Sequence, residues 1–328
     1  MLVWSNFKKP LTFGLLLLSM AACMACAPVL NRSGAVVVPA NLKSSHFSAR
    51  DRSVLPVRRW LPDNRQIKAV IVAVHGFNDY SNFFDGAGRY LSRRGMACYA
   101  YDQRGFGFAP GWGLWAGADA YGDDLTDFSR EVHKLHPDVP LYVLGESMGG
   151  AVVIASMTGR NPPQADGVIL VAPAVWGRET MPWYQSSLLS VATSVMPEFR
   201  LTGEGLRIMP SDNIDMLRKF SRDLKVIKAT RIDAISGLTD LMDAAQDRAG
   251  DIKSPVMILY GEKDQLIPKE PMTLMLGKMP SGTQVRIYPQ GYHMLLRDLH
   301  AEIPLSDIVA WVDRNNRRLT ALNGRKQR

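Results

Sequence analysis

A serine with glycine two places to either side, Gly145-Glu146-Ser147-Met148-Gly149, is the segment of this 328-residue chain best suited to chemistry. It lies between an apolar run, Leu141-Tyr142-Val143-Leu144, and a helix-forming one, Ala151-Val152-Val153-Ile154-Ala155-Ser156-Met157. A chain that turns from strand to helix this quickly needs small residues around the bend. Such a bend holds the serine in strained backbone geometry, with its hydroxyl at the helix N-terminus. A serine hydroxyl is a weak nucleophile at neutral pH, so the chemistry also needs a base to take its proton and a carboxylate to orient that base.

With a serine presented in this way, the partners follow in the order acid, then histidine. Of six histidines, only His293 and His300 lie downstream of Ser147. His293 follows the strand-like Gln284-Val285-Arg286-Ile287-Tyr288 through the turn Pro289-Gln290-Gly291-Tyr292, which puts it at a strand's carboxyl end, as Ser147 is. His300, seven residues on, reads as a solvated helix residue. For the acid, the buried-strand pattern Pro255-Val256-Met257-Ile258-Leu259-Tyr260 runs into Gly261-Glu262-Lys263-Asp264. Asp264 is the assignment and Glu262, earlier in the same loop, the fallback; a turn or cap role before Pro268 is the plain alternative.

A tetrahedral intermediate also needs donors for its oxyanion. The apolar strand Ala69-Val70-Ile71-Val72-Ala73-Val74 ends in His75-Gly76-Phe77-Asn78-Asp79. The amide of Met148, directly after the serine, and that of Phe77 are the expected pair. His75 then reads as a residue that positions this loop, with Asn78 and Asp79 holding it. Downstream of the strand Ala97-Cys98-Tyr99-Ala100-Tyr101, Asp102 and Arg104 read as loop braces with no part in the chemistry. His133 and His136, three apart on one predicted helix, lack nearby ligands and read as a solvated pair.

Taken together, His75-Gly76, Tyr101-Asp102-Gln103-Arg104-Gly105-Phe106-Gly107, Gly145-Glu146-Ser147-Met148-Gly149-Gly150, Asp264 and Gly291-Tyr292-His293 resemble the monoacylglycerol lipase / lysophospholipase group of α/β-hydrolases, over roughly residues 45 to 318. The resemblance implies Ser147, Asp264 and His293 as a triad, Phe77 and Met148 as oxyanion donors, and no cofactor or metal. It further implies a small lipid ester as substrate and a cap that admits it.

The elements needed to position these groups are legible. Apolar strands alternate with helices, which implies an α/β architecture with a mostly parallel central sheet, helices on both faces and an antiparallel first hairpin. The expected core spans residues 44–175 and 247–318. Residues 176–246 exceed an ordinary crossover and read as a helical cap over the strands' carboxyl ends. Within that cap Met181, Trp183, Leu188 and Leu189 are expected to line an apolar tunnel for an acyl chain.

The N-terminus has export grammar. Lys8-Lys9 precede an uncharged stretch from Leu11 to Leu30, so residues 1–30 read as a leader. Ala21-Ala22-Cys23 resembles a bacterial lipoprotein signal with Cys23 as the lipidated residue, although Met20 stands where leucine is usual; Cys26 is the alternative acceptor. Such a protein would be anchored in the cell envelope facing the periplasm, with a transmembrane anchor or a soluble periplasmic form as alternatives. The remaining cysteine, Cys98, has no partner and implies no disulfide scaffold. The net charge of +8 is concentrated at the end, where residues 314–328 hold six basic groups and no acid. Residues 319–328 read as a basic tail, frayed past Leu322, and nucleic acid is not an expected partner. The sequence leaves the oligomeric state open. It also leaves two other functions open: a non-catalytic envelope lipoprotein that uses the fold as a binding module, and hydrolysis of peptide bonds next to an N-terminal residue by the same groups.

Overall fold

The computed structural model describes residues 28–326, apart from 64, 65 and 206. Among the described residues nine strands form one sheet, in the order β1-β2-β3-β5-β4-β6-β7-β10-β11. These are β1 (Asn41–Leu42), β2 (His46–Ser48), β3 (Val54–Trp60), β4 (Ala69–Val74), β5 (Met96–Tyr101), β6 (Leu141–Glu146), β7 (Gly167–Val171), β10 (Val256–Gly261) and β11 (Gln284–Tyr288). Two short strands, β8 (Arg200–Thr202) and β9 (Ala229–Arg231), pair antiparallel outside it. The helices are α1 (Asp85–Ser92), α2 (Ala118–Leu135), α3 (Met148–Met157), α4 (Trp183–Val195), α5 (Ile214–Arg222), α6 (Ile232–Arg248), α7 (Lys269–Lys278) and α8 (Glu302–Lys326).

The sheet is parallel from β5 to β11 and antiparallel where the first three strands join it. Its central strands are apolar throughout because both faces are covered. Along β4 the side chains alternate between two cores. Val70, Val72 and Val74 pack with Leu125 and Phe128 of α2 and Val153 of α3. Ala69, Ile71 and Ala73 pack with Leu91 of α1 and with Ile308 and Trp311 of α8. This is the α/β-hydrolase architecture. It brings the carboxyl ends of β4, β6, β10 and β11 to one edge, where ligands of open parallel sheets bind.

The segment after β5 is a brace. Arg104 is buried and bridges Asp51, in the turn between β2 and β3, to Asp124 of α2, at 2.6 Å in each case. Asp102 accepts from the Ser81 amide at 3.0 Å and the Phe108 amide at 2.9 Å, and also from the Ser81 hydroxyl. Both side chains are satisfied within the protein and lie outside the cavity beside Ser147.

Several boundaries differ from the sequence reading. Helix α6, assigned to the cap as part of 176–246, buries Ala234, Leu241, Met242 and Ala245 in the same core as α3, so it belongs to the covering layer of the sheet. The cap proper runs from Trp176 to about Arg231. Where the sequence reads as frayed past Leu322, the backbone of α8 stays helical to Lys326. Cations in the last turns of a helix are favourable beside its negative dipole end. His136 is not a solvated partner of His133, because its Nε2 lies 2.8 Å from the Tyr99 hydroxyl.

Residues 28–30, read as the end of the leader, belong to the folded body. The Val29 amide donates to Asp233 at 3.2 Å, Leu30 bridges to Trp115, and the Asn31 amide donates to the Trp115 carbonyl at 2.8 Å. Cys23 and Cys26 lie outside the described residues. Among the described residues no helix is long and apolar enough to cross a membrane.

Candidate active site

Ser147 follows β6, whose last residues pair with Gly145↔Val74 on one side and Glu146↔Val171 on the other. The serine has φ 51° and ψ −119°, a left-handed conformation that L-residues adopt at a cost. Sterics explain the flanking glycines: a Cβ on Gly149 would lie 2.0 Å from the Val74 carbonyl oxygen, and one on Gly145 would lie 2.4 Å from that of Gly149. Backbone bonds from the Ser147 amide to Val171 (3.0 Å) and to the Ser147 carbonyl from Ala174 (2.9 Å) keep the bend in place.

The loops after β10 and β11 bring the other two groups to it. Nδ1 of His293 lies 2.8 Å from Asp264 Oδ2, and Nε2 lies 3.0 Å from Ser147 Oγ. The carboxylate can only accept at Nδ1, so Nδ1 carries the proton and Nε2 is free to receive one from the serine. Asp264 is rigid: its second oxygen accepts from the amides of Leu266 at 2.8 Å and Ile267 at 2.9 Å. Burial works against a charged His293, but the Asp264 carboxylate and its hydrogen bond outweigh burial, with Glu146 adding to them. The imidazole is thereby held above the ordinary histidine range. Glu262, the fallback acid, is exposed and lines a cavity other than the one at Ser147, while His300 is exposed beside Glu302.

The amides of Phe77 and Met148 donate to no other protein group among the described residues. Both amides are free to donate to a bound group. The Phe77 loop is fixed by His75, which is buried and pushed down to about 4 by burial, and therefore neutral. Its Nδ1 donates to the Gly76 carbonyl at 2.8 Å and its Nε2 accepts from the Gln103 amide at 3.0 Å. Asn78 donates to Thr230 of the cap at 2.7 Å, and Asp79 pairs with Arg297 at 3.2 Å.

A family model described as Serine aminopeptidase, S33 matches residues 65–300. The chain belongs to that family. A monoacylglycerol lipase of Mycolicibacterium smegmatis is 26% identical over 272 residues, covering 77% of this chain and 90% of that protein. A monoglyceride lipase of Rattus norvegicus is 25% identical over 283 residues, covering 81% and 89%. Among solved structures, a soluble variant of monoglyceride lipase from Saccharomyces cerevisiae in complex with a substrate analog matches with a TM-score of 0.72 at 16% identity. It covers 87% of this chain and 98% of that one, and at this identity it establishes the shared fold.

In this S33-family chain Ser147 opens into a cavity of about 760 Å³. Its walls are mainly apolar: Phe77, Phe83, Trp176, Phe220, Val226, Ile227, Leu238, Met242, Leu266, Ile267 and Met294. The residues expected to line it do not. Trp183 is 79% exposed and Leu188 68% exposed, Met181 and Leu189 lie outside the cavity wall, and α4 buries no residue at all. The apolar face of α4 points outward, and the lining comes from α5, the β8–β9 region and α6.

The sequence reading also missed how the cap is fastened. Residues 209–213 are hydrogen-bonded to the loops carrying both partners of the serine. The Met209 amide donates to Gln265 at 2.9 Å, the Met294 amide to the Pro210 carbonyl at 2.8 Å, and Ser211 to Asp298 at 2.7 Å. Asp298 also accepts from the Tyr292 amide at 2.8 Å, next to His293. Only the short polar spacing Ser211-Asp212-Asn213 signals this in the sequence, and it reads equally well as a helix cap, which Asn213 also is.

Proposed function

We propose that this serine hydrolase of the ester-cleaving type acts on single-acyl-chain lipids, monoacylglycerols or lysophospholipids, through an acyl-enzyme. The observation that carries this reading is the apolar cavity that begins at Ser147 and His293, large enough for one alkyl chain and walled by the cap. The monoglyceride lipase relatives support the same reading.

Ser147 Oγ attacks the ester carbonyl as its proton passes to Nε2 of His293. Asp264 holds the Nδ1–H tautomer and stabilises the imidazolium. The amides of Phe77 and Met148 receive the oxyanion, each worth about 2.7–4 kcal/mol in a water-poor site. The imidazolium then protonates the departing alcohol, and water enters by the reverse sequence to release the fatty acid.

A panel of short nitrophenyl esters, monoacylglycerols and lysophospholipids tests the substrate. The expected result is a kcat/KM for one of the two long-chain classes at least about tenfold above that for the acetyl ester, the yield of a few buried methylenes. A preference for acetyl esters would overturn the reading.

The family description makes peptide-bond hydrolysis at an N-terminal residue the second reading. That substrate needs an unpaired anion for its free amine. Of the acids on the cavity wall, Asp79 already faces Arg297, burial pushes Glu146 up to about 8 and so disfavours its charged form, and Glu204 is exposed to solvent. Turnover of an aminoacyl nitroanilide faster than the lipid esters would favour the peptidase. The third reading, a binding module, predicts no labelling of Ser147 by a fluorophosphonate.

We further propose that the chain is held at a bacterial envelope membrane by lipid on Cys23, or on Cys26. The docking of residues 28–31 against Asp233 and Trp115 supports a folded body that begins directly after those cysteines. Mass spectrometry of the mature N-terminus is expected to find a diacylated cysteine at one of these positions. Finding both unmodified would end the idea.

A further inference from the structure

We propose that Glu146 is a positioning residue for the base: its carboxyl, 3.9 Å from Nε2 of His293, competes with that nitrogen for one proton and so decides how much of the enzyme is ready to attack. This rests on the serine-hydrolase reading but not on the identity of the ester.

Glu146 ends β6, and its side chain is buried beneath the nucleophile bend. The space it occupies exists because residue 76 is glycine, where a Cβ would lie 2.4 Å from Glu146 Oε2. Its Oε1 lies 3.9 Å from His293 Nε2, the nitrogen that also meets Ser147 Oγ at 3.0 Å. A carboxyl and the nucleophile thus converge on one nitrogen. Among the described residues no donor is hydrogen-bonded to Glu146, although its carboxyl reaches the cavity wall. A structural acid looks different here: Asp102, equally buried, is held by three donors. With no protein donor to hold its charge, the Glu146 carboxyl is left to exchange its proton at the cavity wall.

The surrounding charges fit that exchange. Glu146 faces His293, Asp79, Arg297 and Asp264, and His293 faces Asp264, Glu146 and Asp298. Burial raises Glu146 to about 8, with His293 and Arg297 pulling it down and Asp79 and Asp264 pushing it up. His293 is raised as well. Two groups this close lose their protons as a pair. When the pair holds one proton, it sits either on the carboxyl or on Nε2. With the proton on Glu146, neutral His293 accepts from Ser147. With the proton on Nε2, the imidazolium faces an ionised Glu146 and the serine has no base. Full competence returns only when the second proton leaves.

The test is the rate of Ser147 labelling by a fluorophosphonate across pH, in wild type and Glu146→Gln. Wild type is expected to gain reactivity over a broad, two-proton rise. Glu146→Gln is expected to show a single-proton rise with its half-maximum about one pH unit lower, the shift typical of removing one nearby charge. Glu146→Asp retains a titratable group and is expected to keep the broad rise. Superimposable wild-type and Gln profiles would overturn the proposal. If the Gln variant does not fold, nitrogen NMR of His293 in wild type decides: a two-step titration supports the pair and a one-proton curve overturns it. Wild type that labels at no pH would instead count against the serine-hydrolase reading.

Discussion

Replacing Ser147 with alanine is expected to lower kcat by about 10⁴-fold or more and leave folding intact. The hydroxyl is the only atom lost. Its hydrogen bond to His293 Nε2 at 3.0 Å contributes little to stability, since the imidazole remains held by Asp264 at 2.8 Å. Alanine at φ 51° carries the same backbone strain as serine, so no relief or penalty arises there. The oxyanion amides remain, which leaves a residual rate above that of water. Saturation kinetics on the best ester, together with a thermal melt, checks both halves. A variant that retains more than about one part in a hundred of kcat would remove Ser147 from the chemistry.

The second large effect falls on Asp264. Asparagine there keeps an oxygen for the amides of Leu266 and Ile267, which donate to Oδ1 at 2.8 and 2.9 Å. That arrangement forces its NH₂ toward His293 Nδ1. Nδ1 must then accept, the ring proton moves to Nε2, and Nε2 can no longer take the serine proton. The expected loss in kcat is about 10⁴-fold, the cost of the wrong tautomer. Glu262→Gln, on an exposed side chain, is expected to stay within about twofold, as surface changes away from a site usually do. Kinetics of the two variants side by side checks the assignment. Two active variants would mean the acid lies elsewhere.

What was legible in the sequence follows from what the residues must satisfy. The central strands are buried on both faces, so their apolar runs have sharp ends: β4 coincides with the segment Ala69–Val74, and β10 lies within one residue of the segment Pro255–Tyr260, both read from the sequence. Ser147, Asp264 and His293, which the structure brings within hydrogen-bond distance, can be picked out because each follows a strand and chain order leaves few choices. The cap resisted the same treatment. An apolar helix normally turns its greasy side inward, so Trp183 and Leu188 read as lining, and no local pattern says that α4 lies outermost. The sequence places helix α6 in the cap because residues 176–246 exceed an ordinary crossover, and only its packing with α3 against the sheet assigns it to the core. Glu146 passed unnoticed as the variable position of a glycine-serine motif. Its meaning depends on a 3.9 Å approach across the fold that spacing cannot show.

The outward-facing α4 also has a kinetic consequence. A helix that buries none of its side chains adds little to the free energy holding the roof closed, so it belongs to the least cooperative part of the molecule. Strand β4, sealed between two packed layers, belongs to the most cooperative part. Lifting this one helix is a small local excursion, far below the cost of global unfolding. Its motion would leave the walls around Ser147, which come from other segments, in place.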